Sequence, residues 1–71
     1  MEQALSGPDP RERISIGMNT DEVRAALGKP HEQYTLPDGT ESWIYYTDWF
    51  HMGYYSVEFD RDHKVFHQWL E

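Results

Sequence analysis

The clearest pattern of apolar positions in the chain predicts one short helix that begins after residue 19. Asn19 is a good N-cap, and Glu22 follows three residues later, where its carboxylate completes a capping box with the Asn19 amide. Met18 and Val23 occupy the two positions of a hydrophobic staple, and Gly28 ends the helix. The apolar stripe of the helix consists of Val23, Ala26 and Leu27. A helix of about two turns is unstable alone in water, so this stripe is expected to pack on a sheet.

Strand formers are dense in residues 42–47, and residues 54–59 and 65–69 alternate between two faces, so the three segments predict strands. A turn at residues 37–39 precedes the first strand, and a hairpin loop at residues 60–64 joins the last two. One face is expected to carry Tyr55, Val57 and Phe59 in the second strand, and Val65, His67 and Trp69 share one face of the third. The predicted fold is therefore α+β, with one short helix packed on a three-stranded antiparallel meander and a second, preceding helix as the alternative.

A single domain is expected at residues 14–71, after a flexible lead-in at residues 1–13. The lead-in is polar, and Pro8 and Pro10 deprive it of backbone donors. A chain of 71 residues buries only about 60% of the surface that its unfolded form exposes, so the core is thin. The residues expected to hold the domain together are Met18, Asn19, Glu22, Val23, Leu27, Gly28, Trp43, Tyr45, Val57 and Phe59.

The charge and the cysteine count exclude several kinds of protein. Six Lys and Arg residues against thirteen Asp and Glu give a net charge of −7, which disfavours binding to nucleic acid or to an anionic lipid surface. The sequence has no cysteine, which excludes a disulfide framework, a thiolate metal site, a cysteine nucleophile and a lipid-bearing cysteine within these residues. With 15% aromatic residues the chain is nevertheless expected to fold.

Neither a metal site nor a catalytic site is predicted, and no cofactor is expected. His63 and His67 are four residues apart, but one lies in a turn and the other in a strand, so they share no helix face. A metal or small-ligand site formed by His51, His63 and His67 is a third hypothesis. Ser42 and Ser56 lie in predicted strands without a nucleophile elbow, so the domain is expected to be non-catalytic.

Residues 48–53, between two predicted strands, hold an unusual concentration of large apolar side chains for a loop. Trp49, Phe50 and Met52 either anchor a partner or fold back onto the small core. His51 in the same segment, Tyr54 directly after it and His63 in the hairpin loop are added to these three. The candidate partner-binding residues are therefore Trp49, Phe50, His51, Met52, Tyr54 and His63.

Five tyrosines lie in or near the predicted strands, and adjacent pairs among them place aromatic rings on both faces of the sheet: Tyr34, Tyr45, Tyr46, Tyr54 and Tyr55. One face is core. The other is either a cross-strand ladder that stiffens the sheet or a docking face for a partner.

The segment from Gly17 to Pro30, GMNTDEVRAALGKP, resembles the signature of the BamE-like (SmpA/OmlA) domain of bacterial outer-membrane lipoproteins. Trp43 and Tyr45, spaced by one residue, and residues 57–65 are similar to that family's strand pattern and last hairpin, so the resemblance covers roughly residues 14–68. It implies a non-catalytic domain of helices on a three-stranded sheet, whose relatives bind partner proteins in assembling or maintaining the outer membrane. The same fold occurs in β-lactamase inhibitor proteins.

The chain departs from this family in three places. Residues 1–13 are too short and too rich in proline for the family's preceding helix, and the lipidated cysteine is missing. His63 stands where the family's hairpin commonly has glycine, which predicts a positive φ there. The function expected is that of a cell-envelope accessory module at the periplasmic face of the outer membrane, if the chain is a trimmed lipoprotein. The alternative is a cytoplasmic binding or inhibitory module, with a homodimer as one form.

Overall fold

The computed structural model describes residues 10–47 and 53–71 and shows one short helix on one antiparallel sheet. Its elements are a 3-10 turn at Pro10–Glu12, α1 at Thr20–Leu27, β1 at Glu32–Thr35, β2 at Glu41–Tyr46, β3 at Tyr54–Phe59 and β4 at Val65–Leu70. The strands are hydrogen-bonded in chain order, β1-β2-β3-β4, so the sheet is a meander. The α+β class is confirmed.

The predicted count of three strands is wrong, because β1 adds a fourth at the edge of the sheet. Its sequence, Glu-Gln-Tyr-Thr, has no apolar alternation, so only its pairing with β2 makes it a strand. The turn at residues 37–39 sets that pairing. Asp38 accepts hydrogen bonds from the backbone and hydroxyl of Thr40 at 2.9 and 2.6 Å, and Gly39 adopts φ 91°.

The start and end of α1 are confirmed as predicted. The Asn19 side chain accepts a hydrogen bond from the Glu22 amide at 2.8 Å, and the Glu22 carboxylate accepts one from the Asn19 amide at 2.9 Å. Gly28 has φ 86° and its amide donates to the Arg24 carbonyl at 2.8 Å. The Arg13 guanidinium donates to the carbonyl of Ala26. The segment before α1 therefore provides a hydrogen-bond donor to a carbonyl in the last turn of α1.

The core lies between α1 and one face of the sheet. Its buried members are Ile14, Val23, Trp43, Tyr45, Tyr55, Val57, Phe59 and Val65, and Met18, Ala26, Leu27 and Leu70 pack against them. The rings of Trp43 and Phe59 lie with centroids 4.7 Å apart. The Tyr45 hydroxyl donates to the Gly28 carbonyl at 2.7 Å, which ties the end of α1 to the sheet.

A β-bulge in β4 overturns one prediction about the faces of the sheet. Phe59 is opposite Val65, whereas the preceding Glu58 is opposite His67, so Phe66 is an extra residue in β4. Val65 therefore lies in the core, while His67 and Trp69 project from the other face. The prediction that these three residues share one face assumed regular alternation, and the bulge breaks it.

Candidate interaction surface

The face of the sheet opposite α1 is defined by the strand register. Its residues form three rows, Tyr46 beside Tyr54, then Glu32, Ile44, Ser56 and Trp69, then Tyr34, Ser42, Glu58 and His67. We call these ten residues the open face. Because α1 packs on the other side of the sheet, the helix leaves this face uncovered.

Large aromatic side chains of the open face are accessible to solvent. Tyr34 is 53% exposed and Trp69 is 52% exposed, and they lie on the two edge strands. Ser56, by contrast, is only 8% exposed, because its small side chain lies between Ile44 and Trp69 in the same row. The open face therefore has a small, nearly buried side chain near its centre and exposed aromatic rings on its two edge strands.

Glu32 organises one side of the open face. Its carboxylate accepts hydrogen bonds from the hydroxyls of Tyr34 in the same strand and Tyr46 in β2. The hydrogen bond to the Glu32 carboxylate, followed by its negative charge, raises the pKa of Tyr34 above its usual range. Both rings are thus fixed around one anion.

Carboxylates also accompany the other side of this face. Glu58 in β3 lies between Ser42 and His67 in its row. The Trp69 indole N–H donates to the Glu71 carboxylate at 3.0 Å, so the exposed indole is held beside a negative charge. The aromatic and the acidic side chains of this region are therefore neighbours.

No lysine or arginine occurs in the sequence of any of the four strands. All six basic residues lie in the lead-in, on or just after the helix, or in the β3–β4 hairpin loop: Arg11, Arg13, Arg24, Lys29, Arg61 and Lys64. Arg24, for example, lies on the helix side of the sheet, with its guanidinium carbon 4.9 Å from the centroid of the Trp43 ring. The open face consequently carries the carboxylates of Glu32 and Glu58 and has no Lys or Arg among its ten residues.

The structure divides the candidate partner-binding residues into separate groups. Trp49, Phe50, His51 and Met52 lie outside the described residues, so their predicted role stays a prediction. Tyr54 belongs to the open face, next to Tyr46. His63 is an exposed residue of the β3–β4 turn and is not among the open-face rows.

Three large aromatic residues of the open face were missing from the predicted partner-binding set: Tyr34, Tyr46 and Trp69. The parity of Tyr46 opposite to Trp43 and Tyr45 in β2 was available in the sequence and identifies the outward ring. Tyr34 had no such signal, because β1 was not recognisable as a strand. The parity of Trp69 was misleading, because the bulge at Phe66 shifts it.

In the described part of the chain, no group of three or more His, Asp or Glu side chains is arranged to hold a metal ion. Within the same residues, α1 and the 3-10 turn are the helical elements, and no helix is long and apolar enough to cross a membrane. The polar and aromatic groups of the open face are the rings and hydroxyls of its tyrosines, the Trp69 indole, the hydroxyls of its serines, two carboxylates and the His67 imidazole.

No family model matches this sequence, and neither a curated protein nor a solved structure matches it.

Proposed function

We propose that this chain is a non-catalytic protein-interaction domain and that the open face is its contact surface. The observation that carries the proposal is the exposure of Tyr34 and Trp69, at 53% and 52%, on a sheet face that the helix does not cover. Tyrosine and tryptophan are the residues most enriched at the energetic centres of protein interfaces. Their rings offer a large apolar contact area and lose little conformational entropy when they are fixed.

The arrangement of the face supports docking in preference to a purely stiffening role. A cross-strand ladder would align the aromatic rings opposite one another, and only Tyr46 and Tyr54 are aligned in this way. Tyr34 and Trp69 are instead separated by the width of the sheet and lie in different rows. They cannot stabilise each other there, so their exposed area is better explained by a partner.

The resemblance of residues 17–30 to the BamE-like family supports a location for this activity. We propose that the domain acts as an accessory module of the bacterial cell envelope, in the assembly or maintenance of the outer membrane, and that its native form carries a lipid anchor. The intact mass of the protein isolated from the membrane and soluble fractions of its host tests this part. A diacylated chain in the membrane fraction is expected, whereas an unmodified soluble protein would contradict the envelope location and leave the interaction proposal standing.

The contact surface can be tested by photo-crosslinking in the host. Benzoylphenylalanine is placed at Trp69 on the open face and, as the matched control, at Ala25 on the exposed side of α1. A discrete crosslinked product is expected from position 69 and not from position 25. Crosslinking from position 25 alone would move the contact surface to the helix side of the molecule.

A further inference from the structure

We propose that the open face binds an extended, arginine-containing segment of a protein partner. This inference rests on the proposed function and adds the chemistry of the partner. It follows from three properties of the face, namely its charge, its exposed rings and the way in which its carboxylates are held.

Charge complementarity selects a cationic partner. Glu32 and Glu58 belong to the open face and Glu71 adjoins it through Trp69, while the four strands contain no Lys or Arg. The whole chain, including these glutamates, has a net charge of −7. A partner that brings positive charge to this face gains from both the local and the overall field.

The exposed rings favour arginine over lysine. A guanidinium is planar, stacks on aromatic faces and is more weakly hydrated than an ammonium. Tyr34 and Trp69 expose about half of their surface. The Tyr34 hydroxyl donates to the Glu32 carboxylate, and the Trp69 indole N–H donates to the Glu71 carboxylate. A guanidinium on either ring therefore has an anion within reach.

The carboxylate of Glu32 is positioned before any partner binds. It accepts hydrogen bonds from the hydroxyls of Tyr34 and Tyr46. Because a carboxylate has about four acceptor sites, roughly two remain for a ligand. Because the two tyrosines hold its side chain, less conformational entropy is lost when a guanidinium docks. Arginine can use both remaining sites through its paired N–H groups.

The spacing of the anions suits an extended segment. Glu32 and Glu58 are on strands two apart and one row apart. With strands about 4.8 Å apart and about 3.3 Å of rise per residue, their Cα atoms are separated by about 12 Å. In an extended chain, residues four apart are separated by about 13 Å. An arginine at every second position therefore supplies a guanidinium near both anions.

Other occupants complement the face poorly. A second copy docked through the same face would bring two surfaces that carry carboxylates and no Lys or Arg against each other, which is unfavourable. Residues 1–9 contain Glu2 and Asp9 and no Lys or Arg, so these nine residues do not supply an arginine.

The test is a titration of the ¹⁵N-labelled protein with a capped heptapeptide in which arginine alternates with threonine. The matched control peptide has citrulline, the neutral isostere, at each arginine position. The arginine peptide is expected to shift the amide resonances of the open-face residues and the Trp69 indole resonance. The citrulline peptide is expected to bind at least about tenfold more weakly, because it loses several ion pairs at once.

Protein variants separate local recognition from the general attraction of an acidic protein. Glu32→Gln with Glu58→Gln is expected to weaken binding of the arginine peptide by about tenfold, since each ion pair at the protein surface is worth about two- to fivefold. The control, Glu12→Gln with Asp62→Asn, removes the same charge from exposed positions off the face and is expected to weaken it by less than about twofold. Trp69→Ala is expected to weaken binding by about fivefold.

Each contrary result has a distinct meaning. Equal binding of both peptides at the open face would overturn the arginine inference and leave the interaction proposal intact, as would equal losses in the two double variants. Resonance shifts confined to α1 would overturn both. In the free protein, concentration-dependent shifts of the open face, or nuclear Overhauser contacts from it to residues 1–9 or 48–52, would show a different occupant and overturn the inference.

Discussion

His63 adopts φ 62°, a backbone conformation that side chains other than glycine rarely take. It lies in the tight turn between β3 and β4, where its amide donates to the Asp60 carbonyl at 2.9 Å. Asp60 also holds the turn through its side chain, which accepts the amides of Asp62 and Lys64 at 2.9 and 3.1 Å. The turn thus imposes its geometry on His63, and the positive φ predicted for this position is confirmed.

Replacement of His63 by glycine is expected to stabilise the domain by about 0.5–1 kcal/mol. The gain comes from the relief of the left-handed conformation, less the greater entropy of glycine in the unfolded chain. Urea denaturation followed by far-ultraviolet circular dichroism measures it. His63→Ala, which removes the imidazole and keeps the Cβ, is the control and is expected not to stabilise. An equal gain from both variants would assign the effect to the imidazole.

The stability of the domain is expected to fall between pH 10 and pH 12 because of Tyr45. Burial, the largest cause, raises the pKa of Tyr45 from 10.0 to about 12, and the charge of Arg24 opposes the shift. In this range the unfolded chain has lost the phenolic proton that the folded chain still binds, so unfolding is favoured as the pH rises. The contribution of Tyr45 is complete below pH 10 and disappears as the pH passes about 12.

Denaturation midpoints measured across that pH range test this expectation. The denaturation midpoint of Tyr45→Phe should decline less steeply with pH, since phenylalanine has no phenol to ionise. At neutral pH this variant should lose about 0.5–1.5 kcal/mol of stability, because the hydrogen bond to the Gly28 carbonyl is absent. Tyr34→Phe, whose hydroxyl is exposed, is the comparison for the neutral-pH loss and is expected to cost less. An unchanged slope in Tyr45→Phe would contradict the assignment.

At the scale of the elements, α1 depends on its seam with the sheet. Val23 is completely buried there, whereas Ala25, two residues later in the same helix, is exposed. Val23→Asp is expected to abolish folding, because it buries an unpaired carboxylate. Ala25→Asp introduces the same group into the same helix and is expected to cost less than about 1 kcal/mol. The dispersion of a proton NMR spectrum distinguishes the two outcomes, and a folded Val23→Asp protein would show that the seam is not essential.

The elements differ in how much of them the sequence predicts, because they differ in how local their causes are. The cap at Asn19, the apolar stripe and the glycine end of α1 act within a few residues, so the helix was predictable to its boundaries. β1 has four residues and no apolar pattern, and it exists through its pairing with β2. The bulge at Phe66 is equally non-local, since it is defined by the partner strand. The helix-facing core was therefore predictable, while the four open-face residues on β1 and β4 were not.

At the scale of the whole molecule, the excess of negative charge is expected to oppose folding. A net charge of −7 on 71 residues gives a self-repulsion that is stronger in the compact state than in the unfolded chain. The ion pair between Arg24 and Asp21, at 3.6 Å, has both side chains exposed. It contributes little to the free energy of unfolding, so little stability is lost when salt screens it.

The urea midpoint is therefore expected to rise between about 10 mM and about 300 mM NaCl, where the screening length becomes shorter than the molecule. Urea is the appropriate denaturant because it is uncharged. Repetition with Glu12→Gln and Asp62→Asn combined, which lowers the net charge, should give a smaller rise. A midpoint that falls with salt would mean that attractive pairs outweigh the repulsion.

The surplus residue in β4 makes that strand tolerant of a change in chain length. With Phe66 removed, Val65, His67 and the residues after it would keep their present sides by simple alternation. The same deletion at Ile44 in β2, which is paired on both edges without a bulge, would exchange the sides of its remaining residues. Descendants of this sequence can therefore lose a residue at position 66 and still fold, so an alignment gap in β4 carries less structural meaning than one in β2.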